Sequence, residues 1–143
     1  MLRRILVDCD GVLTDGTLTI DHEGLKLFKA FHTRDVRAIR ELVTNGYEVH
    51  IVSADDWGGL AHFASKVGAE AWCSRDKVFD PLRDEPYIAV GDDAWDVMML
   101  TAAELAFAPA DADPSVLSIP GVVRLDTAGG RGVMAEVARR LLP

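Results

Sequence analysis

"ILVDCDGVLTDG", residues 5–16, runs three apolar residues, Ile5-Leu6-Val7, straight into Asp8, Cys9, Asp10 and Gly11. The apolar run reads as a buried strand. Ionised carboxylates are costly to bury unpaired, so a buried strand that ends in two of them needs positive charge waiting at its end. In open parallel sheets, ligands bind beyond the carboxyl ends of the strands. The stretch therefore predicts the first strand of such a sheet, with a charged binding rim that begins at Asp8.

The rest of the chain supports that frame. Strand patterns fall at 3–8, 47–53, 69–73, 87–91 and 105–108, with a weaker one at 122–125. Helix patterns fall at 34–45, 56–67, 93–102 and 132–142. In the first helix Val36, Ile39, Leu42 and Val43 share one face, and Asn45-Gly46 supplies a stop. The alternation predicts an α/β fold: a doubly wound, Rossmann-like parallel sheet with helices on both faces. One insertion breaks it at about 17–31. There Leu18 and Ile20 alternate, His22-Glu23-Gly24 turns, and Leu25, Leu27 and Phe28 follow, which predicts a β-hairpin. At 143 residues, without a linker or repeat, residues 1–143 are expected to form a single domain.

Composition narrows the function. The net charge of -8 argues against nucleic acid or an anionic membrane as partner. Two cysteines, Cys9 and Cys73, are too few for a disulfide scaffold and fit a reducing cytoplasm. The start "MLRRILVDCDG" lacks the apolar region of a signal peptide. Cys9 is expected to be a core residue, since alternation turns it away from Asp8 and Asp10.

On the predicted sheet, Asp8 and Asp10 end the first strand, Ser53 ends the second, Lys77 follows the third, and Asp92 and Asp93 follow the fourth. Carboxylates with one lysine and one hydroxyl on a single rim point to a hard cation and a phosphate. Mg²⁺ takes oxygen ligands and often completes its shell with substrate phosphate. Asp8, Asp92 and the Asp10 carbonyl can supply oxygens, and Ser53 and Lys77 can hold phosphoryl oxygens. Asp8 can attack phosphorus as a nucleophile, and Asp10 can act as general acid and base.

The ordered motifs "DCDGVLTDG", "IVSA", Lys77 and "GDDAWD", together with "KLFKAFHTRD" and "GGRGVMAEV", resemble the haloacid dehalogenase superfamily of phosphohydrolases. The likeness is to its small capless branch, of the 3-deoxy-D-manno-octulosonate 8-phosphate phosphatase type. That resemblance implies Asp8 as nucleophile, Asp10 as acid/base, and Ser53, Ala54 and Lys77 as phosphate binders. It implies Asp92 as a magnesium ligand with Asp93 and Asp96 in support, and Arg131 reaching a phosphorylated small-molecule substrate from a glycine-led tail. It also implies a homotetramer built through the hairpin. The chain departs from the branch where Ser53-Ala54-Asp55 replaces Ser/Thr-Gly-Arg, so Asp55 is expected to disfavour a second anionic group on the substrate. It departs again at Asp35-Val36 and Ala135-Glu136, and in a short 77–92 segment. Two other readings stay open: a phospho-accepting switch of the receiver kind, and a catalytically decayed relative with a structural role. Trp57 and Trp95 follow rim loops and are candidates for a rim role as well as for the core.

Overall fold

A computed structural model describes residues 1–75, 82 and 84–143. Six parallel strands form one sheet: β1 Arg4–Asp8, β2 Glu48–Ser53, β3 Glu70–Cys73, β4 Tyr87–Val90, β5 Leu105–Ala108 and β6 Val123–Arg124. Their spatial order is β3-β2-β1-β4-β5-β6. The direction of winding reverses between β1 and β4, and such switch points open a crevice at the carboxyl ends of the strands. A receiver-type sheet has the order 2-1-3-4-5, so the switch reading does not fit this topology.

The helices are α1 Thr33–Thr44, α2 Gly59–Val67, α3 Val97–Ala102, α4 Pro114–Leu117 and α5 Val133–Leu141. Ile39 and Leu42 of α1, Phe63 and Val67 of α2, and Met134 and Val137 of α5 pack with Ile5, Val7 and Ile51 on one face of the sheet. Met99 and Leu100 of α3 and Val116 of α4 pack with Leu6, Val52 and Ala89 on the other. Adjacent strand residues point to opposite faces, which is why Leu6 and its neighbours Ile5 and Val7 enter different cores. The doubly wound sheet expected from the alternation is present.

Four details differ from the sequence pattern. The helix expected from 56 begins at Gly59, after a turn at Trp57. The one expected at 93–102 is a 3₁₀ turn, Ala94–Asp96, followed by α3. The short α4 was not expected; Asp113 caps it by accepting from Ser115 N at 2.9 Å, with Pro114 in its first turn. The hairpin is pared down. Among the described residues it has one antiparallel bridge, Ile20 with Lys26, and Asp21 N and Leu27 N donate to Leu25 O and Thr19 O. Its apolar side chains are poorly covered: Leu18, Ile20, Leu25, Leu27 and Phe28 are all half exposed or more. A two-stranded ribbon without a packed face does not sustain a longer ladder. No helix among the described residues is long and apolar enough to cross a membrane.

Candidate active site

The site lies at the switch point. Asp8 is the last residue of β1, opposite Val52 in register, and Val7 lies beside Val90 of β4. Asp8, Ser53 and Asp92 are thereby brought to one rim. The chain leaves β1 through a tight turn, Cys9–Leu13, closed by Thr14 N donating to Cys9 O at 3.2 Å. Gly11 makes this path workable. Its φ is +85°, and a Cβ there would lie 1.8 Å from Asp92 Oδ2. Glycine is thus required both for the backbone and for the approach of the Asp92 carboxylate.

One oxygen each from Asp8, Asp92 and Asp96 lies within 4.8 Å of the others. Asp8 and Asp96 are buried and Asp92 is half-buried. Asp8 Oδ1 accepts from Cys9 N at 2.9 Å. Asp96 Oδ2 accepts from Asp92 N at 3.0 Å and Asp93 N at 3.2 Å, so Asp96 also fixes the loop that carries Asp92. Asp93 turns outward and caps the 3₁₀ turn, its Oδ1 accepting from Ala94 N at 2.7 Å. Three carboxylates converging at this distance suit a hard divalent cation, which would bring the positive charge that the β1 terminus needs. Of the two acids expected in support, Asp96 joins the cluster and Asp93 does not.

Asp10 faces another partner. Lys29 Nζ lies 3.0 Å from Asp10 Oδ1, 2.8 Å from Asp10 Oδ2 and 2.8 Å from Asp55 Oδ2. The Lys29 side chain is only 4% exposed. Burial works against its charge, but the hydrogen bonds to Asp10 and then Asp55 outweigh it and hold its pKa above the ordinary lysine value. Lys26 also pairs with Asp55. Burial opposes the Asp55 charge as well, yet the two lysines hold its pKa below the usual carboxylate value. The Lys29 ammonium sits 5.4 Å from the Trp57 ring, which stacks in turn with Phe31. Asp55 is therefore no open negative charge at the entrance, and the expectation that it disfavours a second anionic group loses its basis.

Ser53 is buried, and its Oγ accepts from Asp55 N at 3.0 Å. Ala54 is exposed beside it. Lys77 lies outside the described residues. Cys9 is buried in the core cluster, as alternation requires. Trp95 is exposed on the 3₁₀ turn. The tail is not the loose lead its glycines imply. Gly129 N donates to Asp111 Oδ1 at 2.9 Å and Gly130 N to Val12 O at 3.0 Å. A Cβ on Gly129 would lie 2.0 Å from Gly11 O, so the tail packs directly on the turn after β1. Arg131 is exposed on this seat. Asp15 is held below its ordinary pKa by Thr17, with a smaller pull from Arg131.

Lys29 is the site residue that motif reading passed over. Its signal was present in "LKLFKAF": Lys26 and Lys29 interleave with apolar residues on the hairpin, directly after the acid pair.

No protein-family model matches the chain. Curated relatives do. The chain is 31% identical to the 3-deoxy-D-manno-octulosonate 8-phosphate phosphatase KdsC of Haemophilus influenzae, over 99% of this chain and 83% of that one. It is 33% identical to KdsC of Escherichia coli K12, over 99% of this chain and 79% of that one. Among solved structures, the cobalt-bound deoxy-D-mannose-octulosonate 8-phosphate phosphatase of Haemophilus influenzae superposes with a TM-score of 0.87. It is 28% identical, covering 97% of this chain and 86% of that one. With its sheet order, the acid cluster at its switch point and relatives that match it nearly end to end, the chain belongs to the KdsC family of phosphatases within the haloacid dehalogenase superfamily.

Proposed function

We propose that this protein is a Mg²⁺-dependent phosphatase that hydrolyses a small sugar-acid or sugar phosphate in the cytoplasm through an aspartyl-phosphate on Asp8. The observation that carries this reading is the convergence of Asp8, Asp92 and Asp96 at the carboxyl ends of β1 and β4. Asp8 and Asp92 would hold the metal with the Asp10 carbonyl, and Asp96 would support it directly or through the Asp92 loop. The metal supplies charge neutralisation, letting the Asp8 carboxylate approach an anionic phosphoryl group. Ser53, the backbone at Ala54 and Lys77 are assigned to the phosphoryl oxygens.

In the first half-reaction an Asp8 oxygen bonds to phosphorus and the phosphorus–oxygen ester bond breaks. Asp10, in its acid form, gives its proton to the leaving oxygen. In the second, water attacks the phosphorus of the aspartyl-phosphate. Its proton goes to the Asp10 carboxylate, and the Asp8–phosphorus bond breaks to release phosphate.

Turnover of p-nitrophenyl phosphate and phosphate release from sugar-acid and sugar monophosphates test the activity. Asp8→Asn is expected to leave the fold intact and to remove turnover; retention of more than about a tenth of the activity would refute the nucleophile. EDTA is expected to abolish activity and Mg²⁺ to restore it, with Ca²⁺ inhibiting because its looser shell misplaces Asp8. Full activity in chelator refutes the metal site.

A further inference from the structure

The cation that meets Asp10 comes from the hairpin, a segment with no assigned part in the chemistry. We propose that Lys29, itself held by Asp55, is a positioning residue that fixes the Asp10 carboxylate for its proton transfers. The proposal rests on the phosphatase reading above and deepens it.

Three observations carry it. First, an ammonium has three N–H donors, and Lys29 Nζ lies within hydrogen-bond distance of three carboxylate oxygens, two on Asp10 and one on Asp55. No donor is left over, so in this arrangement Lys29 serves carboxylates rather than a phosphate. Second, the grip engages both Asp10 oxygens, which stops rotation of the carboxylate about its own axis. Thr14 Oγ1 adds a longer contact to Oδ1 at 3.3 Å. A carboxylate offers about four lone-pair sites, so Oδ2 keeps one with which to exchange a proton. Third, Asp10 needs such a hold. Its side chain is 37% exposed, and it precedes Gly11 in a turn of non-helical backbone. A misplaced acid/base group forfeits rate because proton transfer needs hydrogen-bond reach.

Asp55 completes the device. It stands on the loop after β2, anchored by its backbone N–H to Ser53 Oγ, and receives both Lys26 and Lys29. The two lysines balance Asp10 and Asp55, so the group brings no net charge to the rim. An arginine at position 55 would repel Lys29, whereas an aspartate secures it. The departure at this position is thus matched by the hairpin lysines of the same chain.

The test uses Lys29→Met, Lys29→Arg, Asp55→Asn, Asp10→Asn and the double variant Lys29→Met/Asp10→Asn, assayed with p-nitrophenyl phosphate and Mg²⁺. Lys29→Met is expected to lower kcat on the order of 10- to 100-fold with KM changed by less than about two-fold. Lys29→Arg is expected to recover part of that loss. On the Asp10→Asn background, Lys29→Met is expected to cost less than about two-fold, since the group it positions is already gone. A KM rise at unchanged kcat would assign Lys29 to substrate instead and overturn the proposal. So would losses that multiply in the double variant. If Lys29→Met fails to fold, Asp55→Asn decides: it keeps the lysine, and a lower kcat at unchanged KM supports the proposal, whereas unchanged kcat refutes it. A wild type that hydrolyses no phosphomonoester refutes the phosphatase reading and the role of Lys29 with it. A wild type that turns over, beside a Lys29→Met that does so equally fast, refutes the positioning role alone.

Discussion

At the scale of residues, the acid pair was legible because two carboxylates at the end of an apolar run have so few physical explanations. Asp92 was legible for the same reason at the end of β4. Lys29 was not, because a lysine among apolar residues on a hairpin reads as a solvated edge charge until the fold turns it inward. Asp96 was legible as a supporting acid only through the family resemblance; its two backbone partners, Asp92 N and Asp93 N, depend on the tertiary loop. Gly11 gives a sharp prediction. Gly11→Ala would place a methyl on top of Asp92 Oδ2 and strain a φ of +85°. Mg²⁺ affinity, read by titration calorimetry, is expected to fall at least ten-fold while Asp8 is untouched; unchanged affinity would remove Asp92 from the metal site. Asp35 gives a second prediction. It is fully buried at the start of α1, and its Oδ1 accepts from Ala135 N at 3.1 Å. Burial raises its pKa from 3.8 to about 6, against the pull of the α5 backbone donors. The folded state therefore holds the Asp35 proton more tightly than the unfolded chain does. The resulting stability is present below pH 4 and is lost as pH rises to about 6. Asp35→Asn cannot ionise, so its urea stability relative to wild type is expected to improve between pH 4 and 6 and then level off. A flat difference across that range would show that Asp35 ionises normally.

At the scale of elements, the parallel strands and the long helices were readable from apolar period and glycine stops. Short pieces were not. The four residues of α4 are too few for a period, and its signal, Asp113-Pro114, is a capping pattern easily read as a turn. The tail misled through its composition, since Gly129-Gly130 suggests freedom. Here small residues serve close packing on the turn after β1. Two carboxylates lock the same segment from behind. Glu136 accepts from Asp126 N, Thr127 N and Thr127 Oγ1 and pairs with Arg140, and Asp35 accepts at the start of α5. Arg131 is thus an exposed cation on a fixed loop beside the site. A fixed backbone spares part of the ordering cost when such a cation meets an anion. Arg131→Ala is expected to raise KM for a sugar-acid phosphate several-fold while Mg²⁺ dependence stays the same. An unchanged KM would refute a substrate contact by Arg131.

At the scale of the whole molecule, the hairpin has two sides with different duties. Lys26 and Lys29 point to Asp55 and Asp10, while Leu25, Leu27 and Phe28 interleave with them and face solvent, Phe28 at 62% exposure. Monomeric proteins seldom expose a contiguous apolar patch of this kind, and a ribbon joined by one bridge among the described residues has unpaired edges on offer. Copies of the hairpin can satisfy one another in a closed ring, and the resemblance to the capless branch makes a homotetramer the expected form of it. The same contact would stiffen the segment that presents Lys29, which links assembly to the placement of Asp10. Light scattering at micromolar concentration is expected to give the tetramer mass for the wild type. Leu25→Asp/Phe28→Asp, which leaves both lysines in place, is expected to dissociate it. The dissociated protein is expected to keep its circular dichroism spectrum and Mg²⁺ binding but to lose kcat on the order of 10-fold, as Asp10 loses its steady hold. A monomeric wild type would end the assembly argument. A dissociated variant with full kcat would show that the hairpin holds Lys29 in place without help from its neighbours.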